Sequence, residues 1–424
     1  MAWPLKAAGM KLIYHHRTRA EDAQGIHIKA LCEAFETLGH QVEMVALVRE
    51  AKRHDQRNGA SHGAHRMFGI AIPAWVYELM ALAYNVPAFF VLAWNVLRFK
   101  PDFIYERYAL STFAGLLVAR LFHKPFILEV NAPLSLEMKQ HGQLVFERLA
   151  QRIEDWLCRN ATKTIVVSTP MRETFVQRGI PAKHFAVMPN GVDRAIFNPS
   201  ISGAAVRREL NLGERFVVGF VGWIRPWHGV DMMLEALAAL SGQLPELELL
   251  IVGDGPALPS LRQQAHELGI ESRVHFTGPV DSSMVPAYIA AMDAAVQPDV
   301  TDYASPIKLF EYLAMGKAVI APAKSNITEI VDDGTTALIF PPRDATTLTR
   351  HIERLYRDRE LARRLGEAGN TLIDARGYHW EGNARRVIDL VQEHTRGTRL
   401  QEHELPEAAL PKQELTASAR RGGE

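Results

Sequence analysis

A short segment in the second half of the chain carries the start of a predicted helix. Ser305 is a favourable N-cap residue and Pro306 suits the first helical position. The helix is expected to run to Met315 and to end before Gly316. Unpaired N–H groups and the helix dipole attract phosphate oxygens at such a start. The segment therefore predicts a phosphate site, with the backbone of Ile307 as a further donor.

Two charged side chains on one face of this helix suggest a nucleotide diphosphate. Lys308 lies in the first turn, where a cation opposes the dipole at a cost of about 0.3–1 kcal/mol unless an anion is bound. Glu311 lies one turn further on, where a carboxylate could accept hydrogen bonds from the two hydroxyls of a ribose. A surface Lys–Glu pair explains the same spacing. Both interpretations stay open from the spacing alone.

The elements around this segment alternate between strand and helix periods. The predicted strands of the first half lie at 11–16, 41–47, 103–107, 126–130 and 162–168. A long helix is predicted over 138–159, and a linker over 198–213 precedes a second strand–helix series. Such series form parallel sheets. We therefore predict an α/β fold of two Rossmann-like domains with parallel sheets that face each other across a cleft.

The predicted boundaries divide the chain into four parts. Residues 1–200 form the N-terminal domain and 201–375 the C-terminal domain. Residues 376–396 are expected to form a helix that packs back toward the N-terminal domain. Residues 397–424 have no strong period and are expected to be a disordered tail.

The composition favours a cytoplasmic enzyme. The chain has 424 residues, 48 Lys and Arg, 48 Asp and Glu and 8% aromatic residues, which argues against a nucleic-acid binder. Only two cysteines occur, as in a reducing compartment, and the N-terminus lacks the pattern of a secretory signal. No paired-carboxylate motif of the metal-holding type is present in the sequence, so no metal site is predicted.

The stretch from Leu79 to Leu97, within residues 72–99, has no charged side chain and could contact a membrane. It is long enough to approach a membrane span, but Asn85, Pro87 and Asn95 lie inside it and disfavour a spanning helix. Basic residues flank it on both sides, as they do in helices that lie on a membrane surface. A buried helix fits the same pattern. The location expected from these observations is the cytoplasm, with peripheral attachment to the inner face of the membrane as an open alternative.

Four motifs resemble, in matching order, those of the GT4-type retaining glycosyltransferases, also called group 1 glycosyl transferases. They are NGVDRAIF (190–197), IVGDGP (251–256), KLFEYLAMGKAVIA (308–321) and NITEIVDDG (326–334). The resemblance implies the GT-B fold and a UDP- or GDP-sugar, as substrate rather than cofactor, held mainly by the second domain. It also implies a glycan or lipid-linked acceptor held mainly by the first domain, and retention of the anomeric configuration.

The resemblance assigns donor contacts to the segment that begins at Ser305. Glu311 matches the second glutamate of the family's E-x7-E motif, which binds the ribose. The first glutamate is replaced by Tyr303, so a carboxylate contact to the transferred sugar is in doubt. The residues Ser305, Pro306 and Ile307 could still offer their backbone to the diphosphate and the sugar hydroxyls.

A second departure affects the cations that neutralise the leaving diphosphate. The family's Arg and Lys align with Trp223 and His228. Arg225 is the candidate substitute for the Arg, and His228, with an ordinary pKa near 6.5, could be protonated beside a diphosphate. Together with Lys308 they are the predicted catalytic residues, and Gly222 is a predicted donor-binding residue.

The first domain supplies the remaining candidates. Gly25 is expected in the turn after the first strand, where the family has a glycine-rich loop beside the phosphates. His27, Glu129 and Asn131 are candidates for contacts to the acceptor or the sugar. Two alternatives to an active transferase follow from the replaced residues and the fold: a non-catalytic partner that binds sugar nucleotides, and a sugar-nucleotide epimerase.

Overall fold

Two parallel six-stranded sheets organise the molecule. The computed structural model describes residues 9–18, 23–47, 65–67 and 70–403. Each sheet is flanked by helices, so the predicted α/β architecture of two lobes is confirmed. The part of the predicted tail over 404–424 lies outside the described residues.

The first lobe is built on a sheet with the strand order β2-β1-β5-β6-β7-β8. Its strands are β1 (Lys11–His15), β2 (Gln41–Val45), β5 (Phe103–Arg107), β6 (Phe126–Val130), β7 (Lys163–Val166) and β8 (Phe185–Val187), and an antiparallel ribbon pairs β3 (His65–Met67) with β4 (Ile70–Ile72). Its helices are α1 (Ala23–Thr37), α2 (Ala74–Ala83), α3 (Asn85–Phe99), α4 (Ala114–Leu121), α5 (Leu134–Gln140), α6 (Glu147–Asn160) and α7 (Thr169–Gln177).

The second lobe has the strand order β11-β10-β9-β12-β13-β14. Its strands are β9 (Phe216–Val221), β10 (Leu247–Val252), β11 (Val274–Gly278), β12 (Ala294–Val296), β13 (Ala318–Pro322) and β14 (Leu338–Phe340). The helices from this half of the chain are α8 (Ala204–Glu209), α9 (Asp231–Leu240), α10 (Leu258–Glu267), α11 (Val285–Ala291), α12 (Ile307–Ala314), α13 (Ser325–Thr328), α14 (Ala345–Arg357), α15 (Arg359–Arg376) and α16 (Trp380–His403).

Burial on both faces explains why the central strands are continuous apolar runs. In β9, Phe216 and Phe220 pack into the core on one face of the sheet, and Val217 packs into the core on the other. The last helix, α16, returns to the first lobe, where Trp380 and Val387 join the core that α1 covers. The chain therefore crosses between the lobes a second time at its end.

Three predicted elements differ from the structure. The helix predicted over 138–159 is divided into α5 and α6, because Gly142 has a φ of 65° and no longer continues the helix. The linker predicted over 198–213 contains α8. The helix α16 continues to His403, so residues 397–403 of the predicted disordered tail are helical.

Hydrogen bonds connect the lobes at the carboxyl ends of their strands. The Ser168 hydroxyl, which follows β7, donates to the Tyr303 carbonyl at 2.7 Å. The Thr169 N–H donates to the two carboxylate oxygens of Glu329 at 3.1 and 3.2 Å. These bonds bring the loop before α12 against the first lobe, and the candidate residues of both lobes lie around the gap beside them.

Candidate functional site

The start of α12 is fixed by the segment that joins the two lobes. The helix begins at Ile307 with Pro306 as its N-cap, so the prediction that Ser305 caps it is wrong by one position. The Asn190 N–H donates to the Ser305 hydroxyl at 2.9 Å, and the Asn190 side-chain amide donates to the Ser305 carbonyl at 2.6 Å. Because Ser305 is held in this way, a ligand would meet the backbone of the next residues.

A hydroxyl inside the second lobe sets α12 against the end of β9. The Val221 N–H donates to the Tyr312 hydroxyl at 2.8 Å. This contact places the Lys308 ammonium 4.0 Å from the centre of the Phe220 ring. A Cβ on Gly222, which has a φ of 139°, would lie 2.8 Å from the Lys308 Nζ. Gly222 therefore provides the space that Lys308 occupies.

The three predicted cations are close enough to influence one another. Burial, followed by the charges of Lys308 and Arg225, lowers the pKa of His228 to about 3. The His228 Nδ1 also accepts a hydrogen bond from the Arg225 N–H at 3.4 Å. The imidazole is therefore neutral near pH 7, and the positive charge of the cluster rests on Arg225 and Lys308. A charge on His228 would require an anion that raises its pKa.

Lys308 and Glu311 are partly exposed on α12. The pKa of each group is shifted toward 7. Burial lowers the pKa of Lys308 to about 7, and the charge of Glu311 opposes that shift. Burial raises the pKa of Glu311 to about 7, and the charge of Lys308 opposes that shift. Burial thus favours the neutral form of each group, whereas a bound anion would favour a charged Lys308.

Arg225 also faces the first lobe. Burial raises the pKa of Glu137 on α5, whereas the charges of His141 and Arg225 lower it, so Arg225 and Glu137 interact across the gap. The Arg225 guanidinium lies 5.0 Å from the centre of the Trp227 ring, and Trp227 is 39% exposed. No local pattern in the sequence indicates Glu137, because its partner belongs to the other lobe.

Tyr303, at the position of the family's first glutamate, is directed to the first lobe. It packs against the core that lines α3 and α4. The side-chain amide of Asn326 donates to the carbonyls of Thr301 and Ala304 at 2.9 and 2.6 Å and fixes the loop around Tyr303. Asn326 belongs to the motif at 326–334, but the motif alone does not indicate this role, because the carbonyls that Asn326 binds lie more than 20 residues earlier.

In the first lobe, Gly25 and His27 belong to a helix. The expected turn at Gly25 is wrong, because α1 begins at Ala23 and includes it. His27 is 5% exposed, and its ring centre lies 4.8 Å from that of Trp380. Burial lowers the pKa of His27 to about 4, against the opposing effect of Glu129, so its imidazole is neutral near pH 7.

Glu129 is the centre of a fully bonded polar cluster. It accepts hydrogen bonds from the Tyr105 hydroxyl at 2.7 Å and from the Arg107 guanidinium at 2.5 Å, and it also accepts one from the Asn131 amide. Its Oε1 lies 3.2 Å from the His27 Nδ1. Burial alone would raise the pKa of Glu129, but His27, Arg107 and the hydrogen bonds lower it overall. The structure therefore brings Glu129, His27 and Asn131 together, with Glu129 already occupied by protein partners.

A metal site built from protein side chains has three or more ligating groups close together. Within residues 9–18, 23–47, 65–67 and 70–403, no cluster of three or more His, Cys, Asp and Glu side chains is arranged to hold an ion.

Two family models match the chain in the order of its lobes. The model "Glycosyltransferase Family 4" matches residues 24–195, and "Glycosyl transferases group 1" matches residues 204–371. The chain is 30% identical over 233 residues to a GDP-mannose-dependent alpha-(1-6)-phosphatidylinositol monomannoside mannosyltransferase of Mycobacterium tuberculosis, covering 53% of this chain and 60% of that protein. It is 25% identical over 264 residues to alpha-D-kanosaminyltransferase of Streptomyces kanamyceticus, covering 61% and 68%. The chain thus spans less than two thirds of the mannosyltransferase.

Solved structures share the arrangement of the two lobes. The Anabaena protein HepE in complex with UDP matches with a TM-score of 0.66 and 19% identity, over 91% of this chain and 100% of that one. Sucrose-phosphate synthase from Thermosynechococcus elongatus matches with a TM-score of 0.67 and 22% identity, over 91% and 100%. These matches confirm the GT-B fold. With a family model matched in each lobe, the chain belongs to the group 1, family 4 type of glycosyltransferases.

Proposed function

We propose that the protein is a hexosyltransferase that moves a sugar from a UDP- or GDP-linked donor to a glycan or lipid-linked acceptor, with retention of the anomeric configuration, in the cytoplasm. The observation that carries the proposal is the cation cluster at the start of α12. There, burial lowers the pKa of Lys308, and the charges of Lys308 and Arg225 contribute to the low pKa of His228. A diphosphate bound beside the helix N-terminus would stabilise the charges of Lys308 and Arg225.

The geometry supports a division of roles along α12. The diphosphate would lie between the first-turn amides, Lys308 and Arg225, which stabilise the charge that grows as it leaves. Glu311, one turn further, would accept hydrogen bonds from the ribose hydroxyls. The acceptor hydroxyl would attack from the same face of the sugar and pass its proton to a departing phosphate oxygen. No cofactor is proposed, since the nucleotide sugar is the substrate and the side chains supply the charge.

Calorimetric titration with UDP-glucose and GDP-mannose tests the donor site. Wild type is expected to bind one of the two, and Glu311→Ala is expected to bind it more weakly, because the ribose loses its acceptor. The matched control is Glu360→Ala, an exposed glutamate on α15 that should leave affinity unchanged. Equal affinity of wild type and Glu311→Ala would remove the ribose role.

A non-catalytic partner that binds sugar nucleotides is a second candidate. Two observations favour it: Tyr303 packs against the first lobe in place of a glutamate at the sugar, and His228 is neutral where the family has a lysine. Turnover measurements with a lipid-linked or glycan acceptor discriminate the two. Donor binding without transfer supports the partner, and conversion of the donor without an acceptor supports an epimerase.

A further inference from the structure

The longest apolar stretch of the chain lies on the first lobe. Among the described residues, the helical stretch 74–99, which comprises α2 and α3, is the one long and apolar enough to cross a membrane by length and composition. The most apolar 18 of its 26 residues have a mean hydropathy of 1.5, and only 28% of those 18 are buried. A core helix of a soluble protein would be mostly buried, so this stretch presents a large apolar surface.

Buried polar side chains fasten the inner side of this stretch to the lobe. The Asn85 amide nitrogen donates to the Ser111 carbonyl at 2.8 Å, and its oxygen accepts from the N–H groups of Phe113 and Ala114 at 2.6 and 2.9 Å. Glu78, 3% exposed, accepts from the backbone N–H groups of the loop before α6 at 2.6 and 3.0 Å. A membrane span would remove both side chains from these partners, so the fold favours a helix pair that lies in the plane of a membrane.

The outer side is an apolar face, which we define as Trp75, Leu79, Val86, Phe90, Trp94 and Leu97. Phe90 is 68% and Trp94 66% exposed. The Glu78 carboxylate binds the backbone N–H groups of Val145 and Phe146 and so holds them beside α2. The side chains of Val145 and Phe146 are 55% and 39% exposed, and they extend the apolar face. A group of large exposed apolar side chains of this kind marks an interaction surface.

The charges around the apolar face indicate the kind of partner. Glu78 is the only acidic residue between 74 and 100, and it is buried. The exposed Arg98 and Lys100 lie where α3 ends, and the exposed Arg120 lies at the end of α4, which packs against α3. Arg98 is paired with Glu43 beside the face, but the exposed charges that α2, α3 and Lys100 themselves carry are all basic. An apolar helix pair of this kind fits an anionic lipid surface.

The apolar face is also joined to the edge of the gap between the lobes. Tyr84, between α2 and α3, has its hydroxyl 3.2 Å from the His15 Nε2 at the carboxyl end of β1. The Arg17 guanidinium donates to the Tyr77 hydroxyl at 3.3 Å and to the Thr112 hydroxyl at 3.3 Å. A surface bound to the apolar face would therefore lie beside the first lobe's edge of the gap, in the domain where the family resemblance places the acceptor.

We infer that the apolar face docks in the plane of an anionic lipid bilayer and that the acceptor of the proposed transfer is carried by a lipid in that bilayer. The membrane contact rests on exposure and charge alone, whereas the lipid-linked acceptor rests also on the proposed function. A spanning helix and a protein partner on the same face are the outcomes against which the inference is tested.

Co-sedimentation of the full chain with vesicles tests the membrane contact. Wild type is expected to bind vesicles of phosphatidylcholine mixed with phosphatidylglycerol, and to bind vesicles of phosphatidylcholine alone or in high salt more weakly. Replacing two exposed aromatic side chains in Phe90→Ser/Trp94→Ser should lower the partition at least about tenfold, because each contributes buried apolar area. Leu268→Ser/Met284→Ser, at 39% and 44% exposed positions of the second lobe, is the matched control and should bind as wild type does.

Several results would overturn the inference. Docking on a lipid bilayer is contradicted if wild type does not bind the anionic vesicles. It is also contradicted if the control variant loses as much vesicle binding as the Phe90/Trp94 variant. Protein that resists extraction by alkaline carbonate indicates a span. A dimer in vesicle-free solution that the Phe90/Trp94 variant abolishes indicates a second copy on this face. Donor affinity, measured by calorimetry on the same variants, should stay unchanged. If wild type binds vesicles but no donor, the proposed function fails and the membrane contact stands.

Discussion

The two edges of the gap between the lobes hold polar clusters of opposite character. In the first lobe, Glu129 is saturated by protein hydrogen bonds and neutralised by Arg107. In the second lobe, Lys308 and Arg225 lie close enough to lower the pKa of His228, and burial lowers the pKa of Lys308 itself. The first cluster is complete as it stands, whereas the second would be stabilised by the anion that the proposed function assigns to it.

This difference separates stability from binding. A complete buried cluster stabilises the fold, and removing one partner leaves a charge without compensation. A cluster of like charges destabilises the fold slightly and gains energy from a ligand, as functional sites commonly do. The first-lobe cluster should therefore respond to substitution in unfolding experiments, and the second-lobe cluster in binding experiments.

The largest expected effect is on stability, at Glu129. Glu129→Ala should lower the free energy of unfolding by about 3–5 kcal/mol, because it leaves Arg107 buried without its counter-ion. Urea unfolding followed by circular dichroism measures the change. Glu147→Ala, in the exposed ion pair with Lys139, is the control and should change stability by at most about 1 kcal/mol. Equal effects of the two substitutions would contradict the structural role of the cluster.

Lys308→Met should affect binding instead. The loss of a hydrogen bond to a charged group, about 1.5–3 kcal/mol, predicts nucleotide-sugar affinity reduced by roughly one to two orders of magnitude in calorimetry. Stability near pH 7 should be unchanged or higher, because partial burial disfavours the charged ammonium in the folded state. A substitution that unfolds the protein while donor affinity persists would reverse the contrast between the clusters.

The pH dependence of donor affinity sharpens the contrast further. The pKa of Lys308 is about 7, so binding that needs its charge must take up a proton above pH 7, and affinity should fall there by up to about tenfold per pH unit. The pKa of Glu311 is also about 7, so binding that needs its carboxylate should weaken below pH 7. The expected profile is a maximum near pH 7.

Variants assign the two limbs of this profile. Titrations should use a nucleotide sugar, since its diphosphate diester does not titrate near neutrality. Lys308→Met should remove the alkaline limb and Glu311→Gln the acid limb. A profile that keeps both limbs in both variants would assign the titration to other groups. His228, with a pKa of about 3 in the structure, should contribute to neither limb, so His228→Gln tests whether a bound anion raises that pKa.

The lowered pKa of Lys308 also makes the stability of the fold depend on pH. A lysine whose pKa is lowered in the folded state binds fewer protons there than when unfolded, so stability rises with pH between about 7 and the ordinary lysine value. Lys308→Met should flatten that rise in urea unfolding curves. An unchanged slope would mean that Lys308 keeps its ordinary pKa in the fold.

Local patterns were sufficient to predict the two-lobe fold and the face of α12 that carries Lys308 and Glu311. Apolar runs bounded by Gly and Pro located most strands, because parallel strands are buried on both faces. The three-residue spacing of Lys308 and Glu311 predicts that they lie one turn apart on the same face of a helix. These features depend on residues close together in the chain.

Features that depend on distant partners could not be predicted. Ser305 looked like a helix cap, but Asn190, 115 residues earlier, binds it. Glu137 faces Arg225 only because the lobes fold against each other. In the sequence, Tyr303 stands where the family has a glutamate, which indicates only a missing carboxylate. In the structure it packs against the core of the first lobe. Such partners follow from tertiary geometry, which no local period encodes.

The smallest expected effect lies between the two clusters, at the bond that joins the lobes. The Ser168 hydroxyl accepts from the Met171 N–H at 3.2 Å, as the N-cap of α7, and donates to the Tyr303 carbonyl. Ser168→Ala should lower the free energy of unfolding by about 1 kcal/mol through loss of the cap.

Asp358→Ala, which removes the N-cap of α15 within one lobe, should lower the free energy of unfolding by a similar amount. Only Ser168→Ala should also weaken donor binding, by a few-fold, because the loop released at Tyr303 leads into α12. If both variants bind the donor as wild type does, the bond between the lobes serves stability alone, and the anion site of the second lobe is formed without help from the first.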